Sequence, residues 1–252
     1  MVTASPAPGT RRPSARPPEA GTDLLIGDPS ARSHRSPNQG ARRDGLRPSL
    51  VVLHHTDMQS AEAALERLCD ETRAAPVSSH YLIAEDGRLW QLVDESRRAW
   101  HAGLGSWGGQ GDVNSRSIGI ELANPAANPF AEPQMARLER LLPGILARWQ
   151  IPPEGVIAHS DLAPDRKVDP GPKFDWRRLA LQGLAAWPDA EARQEGELAR
   201  DLARIGYPVA DMALALQAFR LRFRPWATGP ACAEDRIAAR DLALRYPATA
   251  ER

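Results

Sequence analysis

Followed from one end to the other, the apolar positions of this 252-residue chain change period several times. SLVVLHHT, residues 49–56, is a short β-branched run that predicts a buried strand with His54 and His55 at its C-terminal end. SAEAALERLCDETRAAP (60–76) opens on a Ser cap and sets Ala61, Leu65, Leu68 and Thr72 at helical spacing; Pro76 ends the predicted helix. In SSHYLIAEDGRLWQLV (78–93) two apolar runs flank EDG, the signal of an antiparallel hairpin. A Gly-rich loop, HAGLGSWGGQGDVNS (101–115), leads to a second buried strand, SIGIELAN (117–124). Over 133–149, Leu138, Leu141, Leu142, Ile145 and Trp149 share one helical face, in which Pro143 and Gly144 predict a kink or a split. GVIAH (155–159) is a third short core strand.

Strands and helices mixed in this order predict an α/β domain over residues 23–187 with a mixed β-sheet flanked by helices. PDAEARQEGE is polar and turn-prone, so 188–195 reads as a linker. Beyond it the period is purely helical. ELARDLARIGY, ADMALALQAFRLRF and AEDRIAARDLALRY predict three helices, a small all-α C-terminal unit over 196–252 that needs a neighbour to bury its apolar face. Residues 1–22, rich in Pro, Ala, Ser and Arg, read as a disordered tail, and 23–48 as mostly turns.

Composition narrows the class of function. Lys+Arg and Asp+Glu balance at 32 each, which gives no support to bulk electrostatic binding of nucleic acid or anionic membrane. No apolar run reaches the roughly 20 residues of a membrane span. Without an apolar leader near the N-terminus, the expected compartment is the cytoplasm, with the periplasm as the alternative. Cys69 and Cys232 are far apart and read as two buried thiols rather than a disulfide.

The chemistry-bearing residues cluster. AHSDLAPDRKVDPGP (158–172) joins an imidazole to three carboxylates, and holds Lys167, one of only two lysines in the chain. His54, His55 and His159 lie at ends of predicted core strands, where ligands can converge at one sheet edge. Catalytic zinc takes three protein ligands from His and carboxylate and leaves a fourth position open. One of His54 and His55, His159, and one of Asp161, Asp165 and Asp169 would supply such a set. Side chains alternate along a strand, so only one of the vicinal histidines can face the ion. A single strand-end His is more often a satisfied structural residue than a ligand, and a structural zinc site would call for four ligands and more cysteine.

Five blocks in order, VVLHHT, SSHYLIAEDGRLWQLV, AWHAG, SIGIELAN and GVIAHSDLAPDRKVDPGP, resemble the zinc-dependent N-acetylmuramoyl-L-alanine amidases of the type-2 amidase family. The likeness covers roughly residues 35–180. LARIGYPVADMALALQAFRLRFRPW looks like the C-terminal helical peptidoglycan-binding module that some members carry. The resemblance implies one Zn²⁺ per chain held by His54, His159 and Asp169, with His55 pointing elsewhere and Asp161 and Asp165 as cap or turn residues. It implies Glu121 as the catalytic carboxylate and Lys167 as a cation beside the metal. The implied reaction is hydrolysis of the amide between N-acetylmuramic acid, or its 1,6-anhydro form, and L-alanine in peptidoglycan fragments during cell-wall turnover. His101, with Trp100, is expected to line the substrate groove, Asn114 and Arg116 to touch the stem peptide, and His80 to be structural or to support the site. A peptidoglycan-recognition protein that binds without cleaving is the alternative. Oligomeric state is not read from the sequence.

Overall fold

The computed structural model describes residues 26–248, so the tail expected at 1–22 and the last four residues lie outside the described residues. In chain order the strands are β1 (Arg32–Ser33), β2 (Gln39–Gly40), β3 (Leu50–His55), β4 (Tyr81–Ile83), β5 (Leu89–Gln91), β6 (Arg98–Ala99), β7 (Ser117–Leu122) and β8 (Val156–Ala158). The helices are α1 (Ala61–Cys69), α2 (Val113–Arg116), α3 (Glu132–Trp149), α4 (His159–Leu162), α5 (Trp176–Ala180), α6 (Leu198–Ile205), α7 (Met212–Phe223) and α8 (Ala233–Arg245).

Six strands form one sheet in the order β1-β5-β4-β7-β3-β8. It is mixed: only the β4–β5 hairpin is antiparallel, and β4, β7, β3 and β8 run parallel. The parallel strands are covered on both faces, which is why they read as nearly continuous apolar runs. Val51 and Leu53 of β3 and Ile118, Ile120 and Leu122 of β7 pack under α3 and α5. Leu50, Val52 and Ile157 face the other way, into a core shared with Leu202, Phe219 and Leu242 of α6, α7 and α8. Beside it, α1 covers Leu82, Trp90 and Leu92. The three C-terminal helices therefore form one of the layers over the sheet, which supplies the neighbour their apolar face requires.

Several expectations need correction. α1 stops at Cys69, short of Thr72, because the Asp70 side chain accepts hydrogen bonds from the Thr72 backbone N–H and hydroxyl, making a local turn that competes with the helix. α3 runs unbroken through Pro143. Pro143 is on the exposed side, where the carbonyl it leaves without a partner faces water. The segment read as turns holds β1, which pairs parallel with β5, and β2, which pairs with β6. Two residues are too few for a period to register. Cys69 and Cys232 are free thiols, each only half-buried.

Candidate active site

Strand register assembles the centre. β3 pairs in parallel with β7 so that His54 lies opposite Glu121, and with β8 so that Leu53 lies opposite Ala158. His159, the next residue, is then the first of α4 and stands beside His54. All three groups occur at the C-terminal ends of adjacent parallel strands, the edge where open α/β sheets place their sites. By alternation His54 shares the face of Leu50 and Val52, and His55 takes the opposite one. After α4 the chain folds back: the Ser160 N–H donates to the Asp169 carbonyl at 3.0 Å, which brings the Asp169 side chain to the two imidazoles.

Three atoms converge. His54 Nδ1 is 2.9 Å from His159 Nδ1, and each is 3.0 Å from Asp169 Oδ2. The far side of each ring shows which nitrogen carries the proton. His159 Nε2 lies 2.9 Å from the Ala102 carbonyl, which can only accept, so Nε2 carries the hydrogen and Nδ1 presents a lone pair. For His54 a chain of partners decides. The Ser117 hydroxyl donates to the Val113 carbonyl at 2.6 Å, leaving its oxygen to accept from His101 Nε2 at 3.1 Å. His101 Nδ1 then accepts from His54 Nε2 at 3.0 Å. His54 Nδ1 is thereby bare as well. Two lone pairs and a carboxylate oxygen this close repel one another unless positive charge sits among them. A metal ion with bonds of about 2.1 Å spaces tetrahedral donors about 3.4 Å apart, near the observed triangle. His54, His159 and Asp169 thus form a group able to hold a metal ion.

Electrostatics agree with that use. Burial, then the neighbouring His159, lowers His54 to about 4, so it is neutral at ordinary pH, as a ligand must be. Burial alone would raise Asp169, but its contacts with His159 and His54 outweigh it and keep the carboxyl ionised. Glu121 is pushed well above the usual carboxylate range by burial and by Asp169, against the pull of Lys167. Its Oε2 is shut off from solvent without a partner, and Glu121 lines the same cleft as the triad. Lys167 lines the same cleft of about 390 Å³, together with His55 and His101. A larger groove of about 1060 Å³ lies by α5, α7 and α8, away from all these groups.

The other candidates fall differently. His101 does line the cleft, but its two ring nitrogens are engaged by His54 and Ser117. It fits there because β7 has Gly119 beneath it, where a Cβ would come within 2.4 Å of the ring. Trp100, Asn114 and Arg116 are not among the residues lining this cleft. Asn114 Oδ1 accepts from the His101 and Ala102 backbone N–H groups, and Arg116 donates to Gln110 and the Trp107 carbonyl. Trp100 has its indole near Gly40. His80 is structural: Nδ1 accepts from the Gly119 N–H, and Nε2 meets the Arg97 carbonyl. Asp161 does cap α4, accepting from the Ala158 N–H at 2.9 Å. Arg67 of α1 also lines the cleft, its Nη1 buried without a partner. A lone Arg in an amphipathic helix carries no mark of this in the sequence.

A mixed sheet bearing a His-His-Asp group able to hold a metal ion, beside a half-buried glutamate, is the arrangement of a metal-dependent hydrolase. Residues 44–172 match the family described as N-acetylmuramoyl-L-alanine amidase, and the chain belongs to that family. It is 37% identical over 236 residues to the N-acetylmuramoyl-L-alanine amidase AmiD of Escherichia coli, covering 79% of this chain and 84% of the relative. The solved complex of that enzyme with the substrate anhydro-N-acetylmuramic acid-L-Ala-D-gamma-Glu-L-Lys superimposes with a TM-score of 0.72, covering 82% of this chain and 92% of the other. The structure of AMPDH3 from Pseudomonas aeruginosa with anhydromuramic pentapeptide, 30% identical, matches with a TM-score of 0.73 over 89% of this chain and all of its own.

Proposed function

We propose that the cleft hydrolyses the amide joining N-acetylmuramic acid, or its 1,6-anhydro form, to L-alanine in peptidoglycan fragments, in cell-wall turnover and recycling. The observation that carries this reading is the convergence of His54 Nδ1, His159 Nδ1 and Asp169 Oδ2 within 3.0 Å beside Glu121, in a chain of the amidase family. The metal in this reading is one Zn²⁺, whose Lewis acidity makes water a nucleophile near neutral pH and polarises an amide carbonyl. His54 and His159 present fixed Nδ1 lone pairs to it, because their Nε2 protons are committed to His101 and the Ala102 carbonyl.

Glu121 moves the proton. Its buried Oε2 accepts a hydrogen from the attacking water and passes it to the departing L-alanine nitrogen, so that water's oxygen ends on the muramyl carbonyl carbon and its protons on the two products. The Lys167 ammonium, on the cleft wall, stabilises the negative charge that gathers on the carbonyl oxygen. The same reading takes 23–187 as the catalytic domain, 188–195 as a linker and 196–252 as a peptidoglycan-binding-like module. It puts the protein in the cytoplasm; cell fractionation distinguishes this from the periplasm.

Metal analysis paired with mass spectrometry of anhydro-muropeptide digests tests the proposal. The purified chain should carry one zinc and release free stem peptide, and a chelator should abolish both. His159→Ala and Asp169→Ala should lose zinc and cleavage together, whereas His55→Ala keeps its metal. Zinc at full stoichiometry in His159→Ala would refute the ligand set, and binding of muropeptide without any cleavage would favour a recognition protein.

A further inference from the structure

Asp161 is two residues beyond His159 in α4 and is completely buried. A carboxylate there needs partners, and the catalytic core supplies just one of those observed, the Ala158 N–H at Oδ2. The others come from the C-terminal helices. Arg222 of α7 donates from Nη1 to Asp161 Oδ2 at 2.9 Å and from Nη2 to the Val156 carbonyl of β8 at 2.9 Å. The Tyr207 hydroxyl, in the α6–α7 connection, donates to Asp161 Oδ1 at 2.7 Å. The Arg222 guanidinium lies 4.2 Å over the Trp176 ring, so its position is fixed by packing as well as by charge. Both oxygens of Asp161 are thus engaged from below by residues some 46 and 61 positions away in sequence.

α4 in turn sets two of the three converging groups. It begins with His159, and its Ser160 N–H holds the Asp169 backbone carbonyl. The loop that gives His159 its second partner, the Ala102 carbonyl, rests on the same helices: Trp107 stacks edge-on against Tyr207 at 5.0 Å, and the Gly108 N–H donates to the Gly206 carbonyl at 2.9 Å. Gly206 has φ of 130° and approaches Trp107 so closely that a Cβ would lie 2.5 Å from its ring.

We infer that Arg222 and Tyr207 are positioning residues for hydrolysis, clamping Asp161 so that α4 holds His159 and Asp169 at metal-binding spacing; the C-terminal helices are then part of the reaction centre as well as a neighbouring module. This rests on the metal reading above for its functional consequence, but the clamp itself is a property of the metal-free fold. A buried Arg–carboxylate pair through one oxygen, with a hydroxyl on the other and the second guanidinium nitrogen on the β8 backbone, orients its carrier firmly, because any shift of α4 leaves a buried charge short of partners.

The test uses the full chain with Tyr207→Phe, Arg222→Met, and the control Arg220→Met, which breaks a buried pair with Asp235 inside the helices without touching α4. Zinc affinity, measured by competition with a chromogenic chelator, should fall about 10-fold or more in the first two, the range for residues that orient metal ligands, and stay within about 2-fold of wild type in the control. Turnover of anhydro-muropeptide should fall in kcat, with KM changed less than about 2-fold, as expected when ligands are misplaced but the cleft is intact. Amide exchange over residues 159–163 of the metal-free protein should quicken in Tyr207→Phe, a change that removes one hydroxyl and keeps the ring packed against Trp107. Unchanged exchange there, unchanged zinc affinity in both variants, or an equal loss in Arg220→Met would overturn the clamp. A wild-type chain that takes up no zinc would instead refute the metal reading, leaving the exchange result to judge the clamp alone.

Discussion

His54 and Glu121 stand opposite one another on neighbouring strands, and their surroundings drive them to different tasks. His54 is kept neutral with its lone pair fixed, a ligand's condition; Glu121 is kept ready to hold a proton. Glu121→Gln, which preserves shape, should therefore leave zinc content unchanged and lower kcat by about 10²–10⁴, the usual worth of a general acid–base, in a muropeptide-release assay. His101 acts through His54. Replacing it with Phe keeps the ring over Gly119 but removes the acceptor for His54 Nε2, freeing the His54 tautomer. Zinc affinity should drop about 10- to 100-fold by chelator competition while His55→Ala leaves it alone. At this scale the ligand types were legible in the stretch AHSDLAPDRKVDPGP, and alternation along SLVVLHHT allowed only one of the two vicinal histidines to face the site. The His101–Ser117–Val113 chain was not, since nothing in the spacing of residues 101, 113 and 117 says that a loop imidazole will lie flat on a glycine of the sheet.

The elements that matter most are the parallel strands β7, β3 and β8, whose register alone sets Glu121, His54 and His159 side by side. His80, just before β4, ties that frame together by accepting from the Gly119 N–H of β7. Burial and the nearby Arg42 charge lower its imidazole to about 3, with the Arg97 carbonyl opposing. An unfolded His takes up its proton near pH 6.5, and the folded one refuses it until about pH 3. Stability is therefore full above pH 6.5 and drains away as acid is added between these values. Thermal melts of the metal-free protein should show this decline, and His80→Gln should make it shallower, leaving the part that the buried His54 and His101 contribute with the same sign. Strands and helices long enough to show a period were readable from the chain. β1, β2 and the end of α1 were not, because two-residue strands carry no period and the Asp70 turn defeats a pattern that continues to Thr72.

Over the whole molecule, α6, α7 and α8 share a core with β3 and β8, so they and the sheet should melt as a unit. Phe219 is fully buried in that core. Phe219→Ala should cost about 3–5 kcal/mol and lower one common calorimetric transition; two separated transitions would show that the helices fold independently of the sheet. Local pattern by itself determined the element types, the change from mixed to purely helical organisation near residue 188, and the kinds of side chain available for chemistry. It could do so because burial of one face imposes a period that neighbours in the chain must share. Which carboxylate joins the histidines, which ring nitrogens face it, and that Arg222 and Tyr207 reach the helix that begins with His159 were decided in three dimensions. Those choices depend on partners 10 to 115 residues apart, held by strand register and shared packing, which no local period encodes.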